Sequence, residues 1–343
     1  MLIDQNIKLS HFTTFKIGGT TDYFCAVKNE EELKEAVFFA KQKKLPIFIL
    51  GGGSNLLVSD SGFRGLVIKI EIGGIEQKEF ENGKVEILAG AGENWDNFVK
   101  ISADKGFFGL ENLSGIPGTV GGAAIQNAGA YGAETGKTIS SVEVFDTEKM
   151  VARKLSKTDC KFGYRDSFFK TAEGKKMIIL HVSFILEKSG KADTEYKDIK
   201  KYIEEKKIDE KTLTPKLLRK IVLEIRAEKL PNPEKLGTAG SFFKNPIVAC
   251  QKYNELIKNF PDMPSYKIDD NYVKVPLAWI LEKVCGLKGF KNGNVGLYEK
   301  QPIVVVNFGK ATAKEVESLA SIVAKIVKEK TGIEVEREVE KIG

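Results

Sequence analysis

The sequence predicts a mixed α and β fold with two or three domains. Its 343 residues exceed an ordinary single domain, which holds roughly 150 residues. Strand-sized apolar runs alternate with helical patterns along the first half of the chain. From about Glu187 the composition shifts to a helical pattern rich in Lys and Glu. Pro231-Asn232-Pro233 is a break that marks a candidate domain boundary.

The first elements form a predicted β-α-β unit. A short apolar strand covers Tyr23–Val27, and Asn29 can cap a helix because Glu32 follows three residues later, as in a capping box. The apolar residues of this helix recur on one face: Leu33, Ala36, Val37 and Ala40. Leu45-Pro46 ends it, and Ile47–Leu50 is predicted to be a buried strand that leads into the first Gly-rich loop.

The remaining elements follow from the same patterns. Strands are predicted at Leu66–Ile70, Val85–Ala89, Val142–Phe145, Val151–Leu155, Met177–Leu186 and, last, Ile333–Val339. Helices are predicted at Asn94–Lys105, Thr194–Lys206, Pro215–Lys229, near Pro276–Val284 and at Ala313–Lys330.

Composition and charge exclude several classes of protein. The chain is 42% hydrophobic and 29% charged with a net charge of +6, an ordinary globular balance. Four cysteines and two histidines lack CxxC or HExxH spacing, so we expect no metal site and no disulfide scaffold. The N-terminus does not resemble a signal peptide, and no apolar run reaches the roughly 18 residues of a spanning helix. We therefore expect a soluble cytoplasmic protein without membrane partners.

Two Gly-rich loops are the strongest candidates for ligand binding. The first is Gly51-Gly52-Gly53-Ser54-Asn55, and the second begins with Gly115-Ile116-Pro117-Gly118 and includes Gly122. Glycines let backbone N–H groups converge on an anion and let a ligand approach closely, which together suggest a dinucleotide-sized ligand. Two ordinary turns are the alternative. Neither loop has GxGxxG spacing, and Gly136-Lys137-Thr138 lacks the first glycine of a P-loop at the required position, which is Tyr131.

Further motifs, in this order along the chain, resemble one family. They are Thr13-Thr14-Phe15-Lys16-Ile17-Gly18-Gly19, the loop from Gly51 to Leu57, Gly115-Ile116-Pro117-Gly118, Phe162-Gly163-Tyr164-Arg165-Asp166-Ser167, Ala239-Gly240-Ser241-Phe242-Phe243-Lys244-Asn245-Pro246 and Val335-Glu336-Arg337-Glu338-Val339. The chain resembles the UDP-N-acetylenolpyruvoylglucosamine reductases, flavoenzymes of peptidoglycan precursor synthesis, essentially from end to end, and most closely their type I members.

The resemblance implies a fold and a cofactor. The expected fold is α+β, with a two-subdomain FAD-binding fold of the vanillyl-alcohol-oxidase type and a smaller α+β substrate domain. The expected divisions are residues 1–70 and 71–229 for the FAD-binding subdomains, with a mobile tyrosine loop near 187–212, then 230–330 for the substrate domain and 331–343 for a C-terminal strand returning to the active site. FAD is expected to be non-covalent, since the first loop carries Ser54 rather than a histidine.

The resemblance also implies a reaction and its residues. NADPH reduces FAD, whose hydride then passes to the β-carbon of the enolpyruvyl group of a UDP-sugar, and a proton completes the α-carbon. Arg165 matches the arginine that stabilises the enolate, Ser241 the proton donor, and Glu338 a second acidic group. Taken without the family, they could be a surface ion pair with Asp166, a turn serine, and a strand glutamate sharing its face with Glu336 and Glu340. Arg337 stands where the family has Pro.

Four more residues match substrate contacts of the family. Tyr196 matches the tyrosine of the mobile loop and Lys229 the lysine of the diphosphate, whereas Asn245 and Lys288 match sugar-nucleotide contacts. Taken alone, Tyr196 fits an amphipathic helix and Lys229 a solvated charge.

Other functions predict other features. Another flavin oxidoreductase of this fold would commonly attach FAD through a histidine, but His11 and His181 lie outside the Gly-rich loops. A nucleic-acid binder would cluster its basic residues, whereas Lys and Glu are interleaved here. We therefore expect a small-molecule substrate, no nucleic-acid partner, and a monomer.

Overall fold

The structure is a computed structural model that describes residues 1–343 and combines helices with strands. The α-helices are α1 (Glu30–Lys43), α2 (Trp95–Asp104), α3 (Val120–Gln126), α4 (Lys197–Lys206), α5 (Pro215–Lys229), α6 (Cys250–Asn259), α7 (Leu277–Trp279) and α8 (Ala313–Thr331). No helix combines the length and the apolar character needed to cross a membrane.

The strands are between two and eleven residues long. They are β1 (Asp4–Lys8), β2 (Thr20–Val27), β3 (Ile47–Leu50), β4 (Leu56–Val58), β5 (Phe63–Ile70), β6 (Ile75–Glu79), β7 (Lys84–Gly90), β8 (Gly129–Ala130), β9 (Ala133–Glu134), β10 (Ile139–Asp146), β11 (Val151–Ser156), β12 (Met177–Glu187), β13 (Gly237–Ser241), β14 (Ile247–Ala249), β15 (Tyr266–Lys267), β16 (Tyr272–Lys274), β17 (Lys291–Asn292), β18 (Val295–Tyr298), β19 (Gln301–Asn307) and β20 (Glu340–Ile342).

The chain divides into two compact units, each assembled from separate segments. The first unit comprises Met1–Ile7, Thr21–Gly52 and Arg64–Glu228, and the second comprises Lys8–Thr20, Gly53–Phe63 and Lys229–Gly343. The chain therefore passes between the units five times, and two of these passages lie inside the first Gly-rich loop and at the end of α5.

The first unit contains two larger sheets over a common apolar core and, besides them, the two-stranded sheet β8-β9. One sheet has the order β1-β2-β5-β3, with β3 parallel to β5, and the other has the order β11-β10-β12-β7-β6 with antiparallel neighbours. Trp95, Phe98 and Phe184 meet in the core at ring distances of 4.9–6.1 Å. Burying three large rings supplies much of the hydrophobic stabilisation that holds α2 on β12.

Helix α1 confirms the predicted Asn29 cap and the predicted apolar face, but its capping box differs by one residue from the predicted one. The Asn29 side chain accepts a hydrogen bond from the Glu32 amide at 2.9 Å, and the Glu32 carboxylate accepts one from the Lys28 amide at 2.7 Å. The Glu32 carboxylate therefore bonds the amide of the residue before the N-cap rather than that of the N-cap residue itself. The predicted apolar face is wholly buried: Leu33, Ala36, Val37 and Ala40. Strand β3 has its predicted bounds, but the predicted burial is wrong, because only Leu50 is buried and the residues before it are half-buried.

Helices α4 and α5 form a helical pair with its own small core in the first unit. Helix α5 has its predicted bounds, whereas α4 begins at Lys197, three residues after the predicted start, and Tyr196 occupies the N-cap position. Their buried apolar residues share one cluster: Ile199, Ile203, Leu218, Ile221, Val222 and Ile225.

The second unit contains three sheets. Their orders are β13-β19-β18-β17, β14-β16-β15 and β20-β4, and the last pair is parallel. The amphipathic helix α8 buries Val316, Leu319, Val323 and Val327 in the core of this unit. It begins at a full capping box formed by Thr312 and Glu315.

Two predictions in the second unit need correction. Ile333–Val339 is not a strand: it meets Phe243 only through an isolated bridge at Arg337, and β20 begins at Glu340. The β-rich composition of the segment predicted a strand, but a strand needs a continuous partner, which only β4 provides, from Glu340 onward. The helix expected over Pro276–Val284 is a single turn, α7, followed by a π-helix over Ile280–Val284.

Candidate functional site

The two Gly-rich loops touch each other within the first unit. A Cβ atom on Gly52 would lie 2.6 Å from the Cα of Gly118, and one on Gly51 would lie 2.8 Å from Oγ1 of Thr119. Backbone atoms cannot yield at that distance, so the contact requires glycine at position 52. The structure therefore brings Gly51, Gly52 and Gly118 together, although they are far apart in the sequence.

Several backbone amides at this contact are unused. The backbone amides of Gly51, Gly52 and Gly118 donate no hydrogen bond within the structure, and Gly52 is exposed. The Gly122 amide, by contrast, donates to Oγ1 of Thr119 at 3.3 Å as part of a helix cap. Unused N–H groups on a loop without side chains suit the phosphate oxygens of a dinucleotide. The first unit therefore fits the pyrophosphate of FAD at Gly51, Gly52 and Gly118, but Gly122 already has a structural partner.

The rest of the first loop belongs to the second unit and is committed to the fold. Gly53 has a φ of +62°, and a Cβ atom there would lie 1.9 Å from the Phe12 carbonyl oxygen. Asn55 donates from Nδ2 to the carbonyl oxygen of Glu338 at 3.2 Å, and its own carbonyl accepts the Glu340 amide at 3.0 Å. Ser54 is half-buried. Asn55 thus links the loop to the C-terminal segment.

Arg165 lies in a tight turn of the first unit. Its φ is +52°, in the left-handed region, and the turn is closed by hydrogen bonds between Gly163 and Asp166 of 2.9 and 3.2 Å. The guanidinium donates to the Gly129 carbonyl oxygen and lies 5.5 Å from the centre of the Tyr164 ring. A left-handed arginine costs free energy that the surrounding structure must offset, a pattern concentrated at functional sites.

The buried Asn127 and the half-buried Lys170 hold this turn in place. The Lys170 ammonium donates to the Arg165 carbonyl oxygen at 2.8 Å. Asn127, which is 1% exposed, donates to the Gly163 carbonyl at 2.7 Å and accepts the Gly136 amide at 2.8 Å. Sequence reasoning missed Asn127; its only signal was an asparagine just after a small-residue segment, the place where a helix ends in the left-handed conformation.

Tyr196 meets a second tyrosine that sequence reasoning also missed. Its ring lies edge-on to that of Tyr131, with 5.2 Å between their centres. Buried Asn112 donates from Nδ2 to the carbonyl oxygens of Tyr131 and Asp193, both at 2.9 Å, and so ties together the two segments that carry the rings. Burial raises the pKa of the Tyr131 hydroxyl, although the nearby Arg226 opposes the rise.

A charged cluster joins α2 and α5 to the second Gly-rich loop. Asp96 receives two hydrogen bonds from Arg219, at 2.5 and 2.8 Å, and one from the Gly115 amide at 2.5 Å. Burial by itself would raise the pKa of Asp96, but these donors and the charge of Arg226 hold it below its usual value. A Cβ atom on Gly115 would lie 2.9 Å from Nε of Arg226, which places that cation beside the loop. Ile116 of the same loop packs on the core of the first unit.

The backbone segments that carry Ser241 and Glu338 are neighbours in the second unit. Ser241 ends β13 opposite Val304, and the next residue, Phe242, accepts the Glu338 amide at 2.9 Å. Glu338 is half-buried, whereas Glu336 and Glu340 are exposed. The three glutamates therefore do not share one environment, as they would in a regular strand, and Glu338 alone is partly withdrawn from solvent.

The backbone amide and carbonyl of Arg337 form no hydrogen bond with the facing segment, which runs from Phe242 to Lys244. The flanking bonds are Glu338 to Phe242 and Lys244 to Glu336, so Arg337 and Phe243 face each other as a non-hydrogen-bonded pair. The guanidinium lies 4.9 Å from the centre of the Phe242 ring, and its Nε and Nη2 atoms are buried without hydrogen-bond partners. Burial lowers the pKa of Arg337, and Glu317 only partly compensates.

The three other residues matched to substrate contacts also lie in the second unit. Lys229 is half-buried at the end of α5. Asn245 accepts the Leu277 amide at 2.9 Å from its Oδ1 atom, and the Lys288 ammonium lies 3.1 Å from the Glu282 carboxylate. These contacts give Asn245 and Lys288 structural partners within the unit.

Comparison with known proteins identifies the family. Residues 21–151 match the family model described as FAD binding domain, and residues 232–342 match the C-terminal domain of UDP-N-acetylenolpyruvoylglucosamine reductase. The reductases of Chromobacterium violaceum and Amoebophilus asiaticus are 37% and 39% identical, over 97% and 99% of both chains. The crystal structure of the reductase from Thermus caldophilus covers both chains fully, with 26% identity and a TM-score of 0.68. The predicted resemblance and the predicted FAD-binding α+β fold are confirmed, and the chain belongs to the UDP-N-acetylenolpyruvoylglucosamine reductase family.

Proposed function

We propose that this chain reduces UDP-N-acetylglucosamine enolpyruvate to UDP-N-acetylmuramate, with NADPH as reductant and non-covalent FAD as cofactor. The observation that carries the proposal is the identity of 37–39% to reductases of that name over nearly the whole of both chains. The product is a precursor of peptidoglycan, so the enzyme acts in cell-wall synthesis. We further propose that it works in the cytoplasm as a monomer.

The proposed domain roles follow the chain. Residues 1–70 and 71–229 bind FAD, residues 230–330 bind the UDP-sugar, and residues 331–343 return to the active site. The unused amides of Gly51, Gly52 and Gly118 support pyrophosphate binding, and Ser54, Ile116 and Pro117 complete the proposed cofactor set. The chemistry that bound FAD supplies is the relay of a hydride from NADPH to the β-carbon of the enolpyruvyl group.

Arg165 is proposed to stabilise the negative charge that develops on the substrate carboxylate as hydride arrives. A planar guanidinium can grip a carboxylate through two parallel hydrogen bonds. Its bond to Gly129 and its position beside Tyr164 fix the plane of the group before substrate arrives. A group that is already oriented need not rearrange during the reaction. Such preorganised groups are the main source of electrostatic stabilisation in enzymes.

Ser241 and Glu338 are proposed to serve proton transfer and enolate stabilisation. Ser241 delivers a proton to the α-carbon, and Glu338 in its neutral form donates a hydrogen bond to the enolate. Their backbone proximity across the Phe242–Glu338 hydrogen bond supports a joint role. Tyr196 and Lys229 are proposed to hold the nucleotide diphosphate, and Asn245 and Lys288 the sugar nucleotide.

An anaerobic titration followed by visible absorbance tests the proposal. NADPH should bleach the flavin band of the purified protein, and UDP-N-acetylglucosamine enolpyruvate should restore it. If the band bleaches but is not restored, the cofactor is right and the substrate is wrong. If no flavin band forms even when FAD is supplied, the assignment of the Gly-rich loops fails as well.

A further inference from the structure

The backbone of Glu338 is held at both of its polar groups by two distant segments of the second unit. Its amide donates to the Phe242 carbonyl at 2.9 Å, and its carbonyl accepts Nδ2 of Asn55 at 3.2 Å. No regular strand supports residues 333–339, because β20 begins at Glu340. These two hydrogen bonds, together with the backbone bonds of Glu336 and Glu340 on either side, place the Glu338 backbone outside a regular strand.

Asn55 is itself held firmly enough to act as an anchor. Its carbonyl accepts the Glu340 amide at 3.0 Å, and the next residue, Leu56, pairs with Glu340 at the start of the parallel ladder between β4 and β20. On its other side, Gly53 packs against the Phe12 carbonyl so closely that no side chain fits. Main-chain contacts on both sides thus fix where the Asn55 amide points.

We infer that Asn55 is a positioning residue for Glu338, an inference that rests on the proposed function. It assigns the Asn55 side chain to the acid–base machinery rather than to the cofactor. Removing Nδ2 takes this donor from the Glu338 carbonyl and lets the backbone at residue 338 shift between its neighbours Glu336 and Glu340, which keep their own hydrogen bonds. A displacement of about 1 Å at a reacting group can lower the rate about 100-fold.

The two half-reactions separate this role from a cofactor role. Glu338 takes no part in the reduction of flavin by NADPH, so loss of the anchor should spare that step. Reoxidation by the enolpyruvyl nucleotide requires Glu338 and should slow. A residue that merely binds FAD would instead change flavin content and both half-reactions together.

The test uses Asn55→Ala and Asn55→Asp in the full-length holoenzyme, with Asn254→Ala as control because Asn254 is exposed on α6. We expect flavin content and the bleaching rate to stay within about twofold, and reoxidation to slow by about 10- to 100-fold in both Asn55 variants.

A double-mutant cycle decides whether Asn55 acts through Glu338. In a Glu338→Gln background, Asn55→Ala should slow reoxidation no further, since its target is already gone. Multiplicative effects, unchanged reoxidation in both single variants, or slowing fully explained by lost flavin would overturn the inference. Failure of the wild-type enzyme to reoxidise with this substrate would instead overturn the proposed function, so the two failures are distinguishable.

Discussion

Arg165 and Glu338 are held through different groups. In the first unit the Arg165 side chain is itself bonded, to the Gly129 carbonyl, and its left-handed backbone is held by Lys170. In the second unit it is the backbone of Glu338 that is bonded, to Phe242 and Asn55. A rigid guanidinium suits a fixed charge, whereas the bonds of the Glu338 backbone set where its side chain starts.

This difference predicts which substitutions each region tolerates without loss of activity. Around Arg165, changes that touch the guanidinium itself should matter most. Around Glu338, changes at the neighbouring side chain should matter little as long as the backbone bonds survive. The following experiments test this contrast, from the largest expected effect to the smallest.

Arg165→Ala should have the largest effect. Loss of a preorganised charge stabiliser typically costs about 3–4 kcal/mol of barrier, a rate loss of about 100- to 1,000-fold. Stopped-flow reoxidation by the enolpyruvyl nucleotide measures it, while bleaching by NADPH should be nearly unaffected. Arg64→Ala is the control, because its side chain is 73% exposed and pairs only with Asp22. Equal slowing of both half-reactions would contradict the role of Arg165.

Asp96→Asn should lower stability rather than slow chemistry. The variant leaves the buried Arg219 without a charged partner, at a cost of about 2 kcal/mol, less than for a wholly buried pair because Asp96 is partly exposed. The folded pKa of Asp96 lies below its usual value, so its contribution is complete above about pH 4 and is lost as the pH falls through the folded pKa.

Urea denaturation at pH 7 and at about pH 3 measures this effect, and the difference between wild type and variant should shrink at the lower pH. Asp104→Asn on the same helix is the control, since Asp104 pairs with Lys100 and Lys216 at the surface and should change stability far less. A difference that grows on acidification would refute the assignment.

Gly129→Ala should disturb the guanidinium directly. The new Cβ atom would lie 2.5 Å from Nη1 of Arg165 and 2.9 Å from the Ala133 carbonyl oxygen, so the side chain and the hairpin must both shift. We expect reoxidation to slow by about 10-fold, or about 1.4 kcal/mol of barrier. Gly190→Ala is the matched control, because its nearest neighbour would be 3.5 Å away. Unchanged reoxidation in Gly129→Ala would show that the Arg165–Gly129 bond is dispensable.

Arg337→Pro should have the smallest effect. Residue 337 contributes no bond to the ladder, so proline removes none, and the buried Nε and Nη2 atoms without partners disappear with the guanidinium. The free energy of unfolding should change by less than about 1 kcal/mol. Glu338→Pro, which removes the amide bonded to Phe242, is the contrasting variant and should cost more. Equal losses in a denaturation series would contradict the claim that the backbone bonds matter here.

Local signals in the sequence predicted much of the fold. Helices α1, α2 and α5 fall at or within two residues of their predicted bounds, since caps and apolar periodicity are encoded within a few residues. The segment before Glu340 was predicted wrongly, because its structure depends on which distant strands remain to pair with it. Helices α3 and α6 were missed; α3 is masked by the small residues of the Gly-rich stretch.

The candidate site shows the same division. Resemblance to the family selects Arg165, Ser241 and Glu338, but not the groups that hold them. Asn127 reaches Gly163 across 36 residues, and Asn55 reaches Glu338 across 283. An asparagine at such a position carries no sign of its partner in the sequence. Nor can the sequence show that Arg165 adopts a left-handed conformation.

Because the second unit is assembled from three separate segments, it cannot fold completely until late in translation. Residues 8–20 and 53–63 emerge early, but β4 (Leu56–Val58) is synthesised long before its partner strand β20 (Glu340–Ile342). At about 5–20 residues per second, synthesis of the residues between β4 and β20 takes about 15–60 s. During this time the backbone groups of β4 that later pair with β20 can pair with other strands. The first unit can mature earlier, since its last segment ends at Glu228. A nascent chain arrested before β20 should therefore be the species most in need of a chaperone.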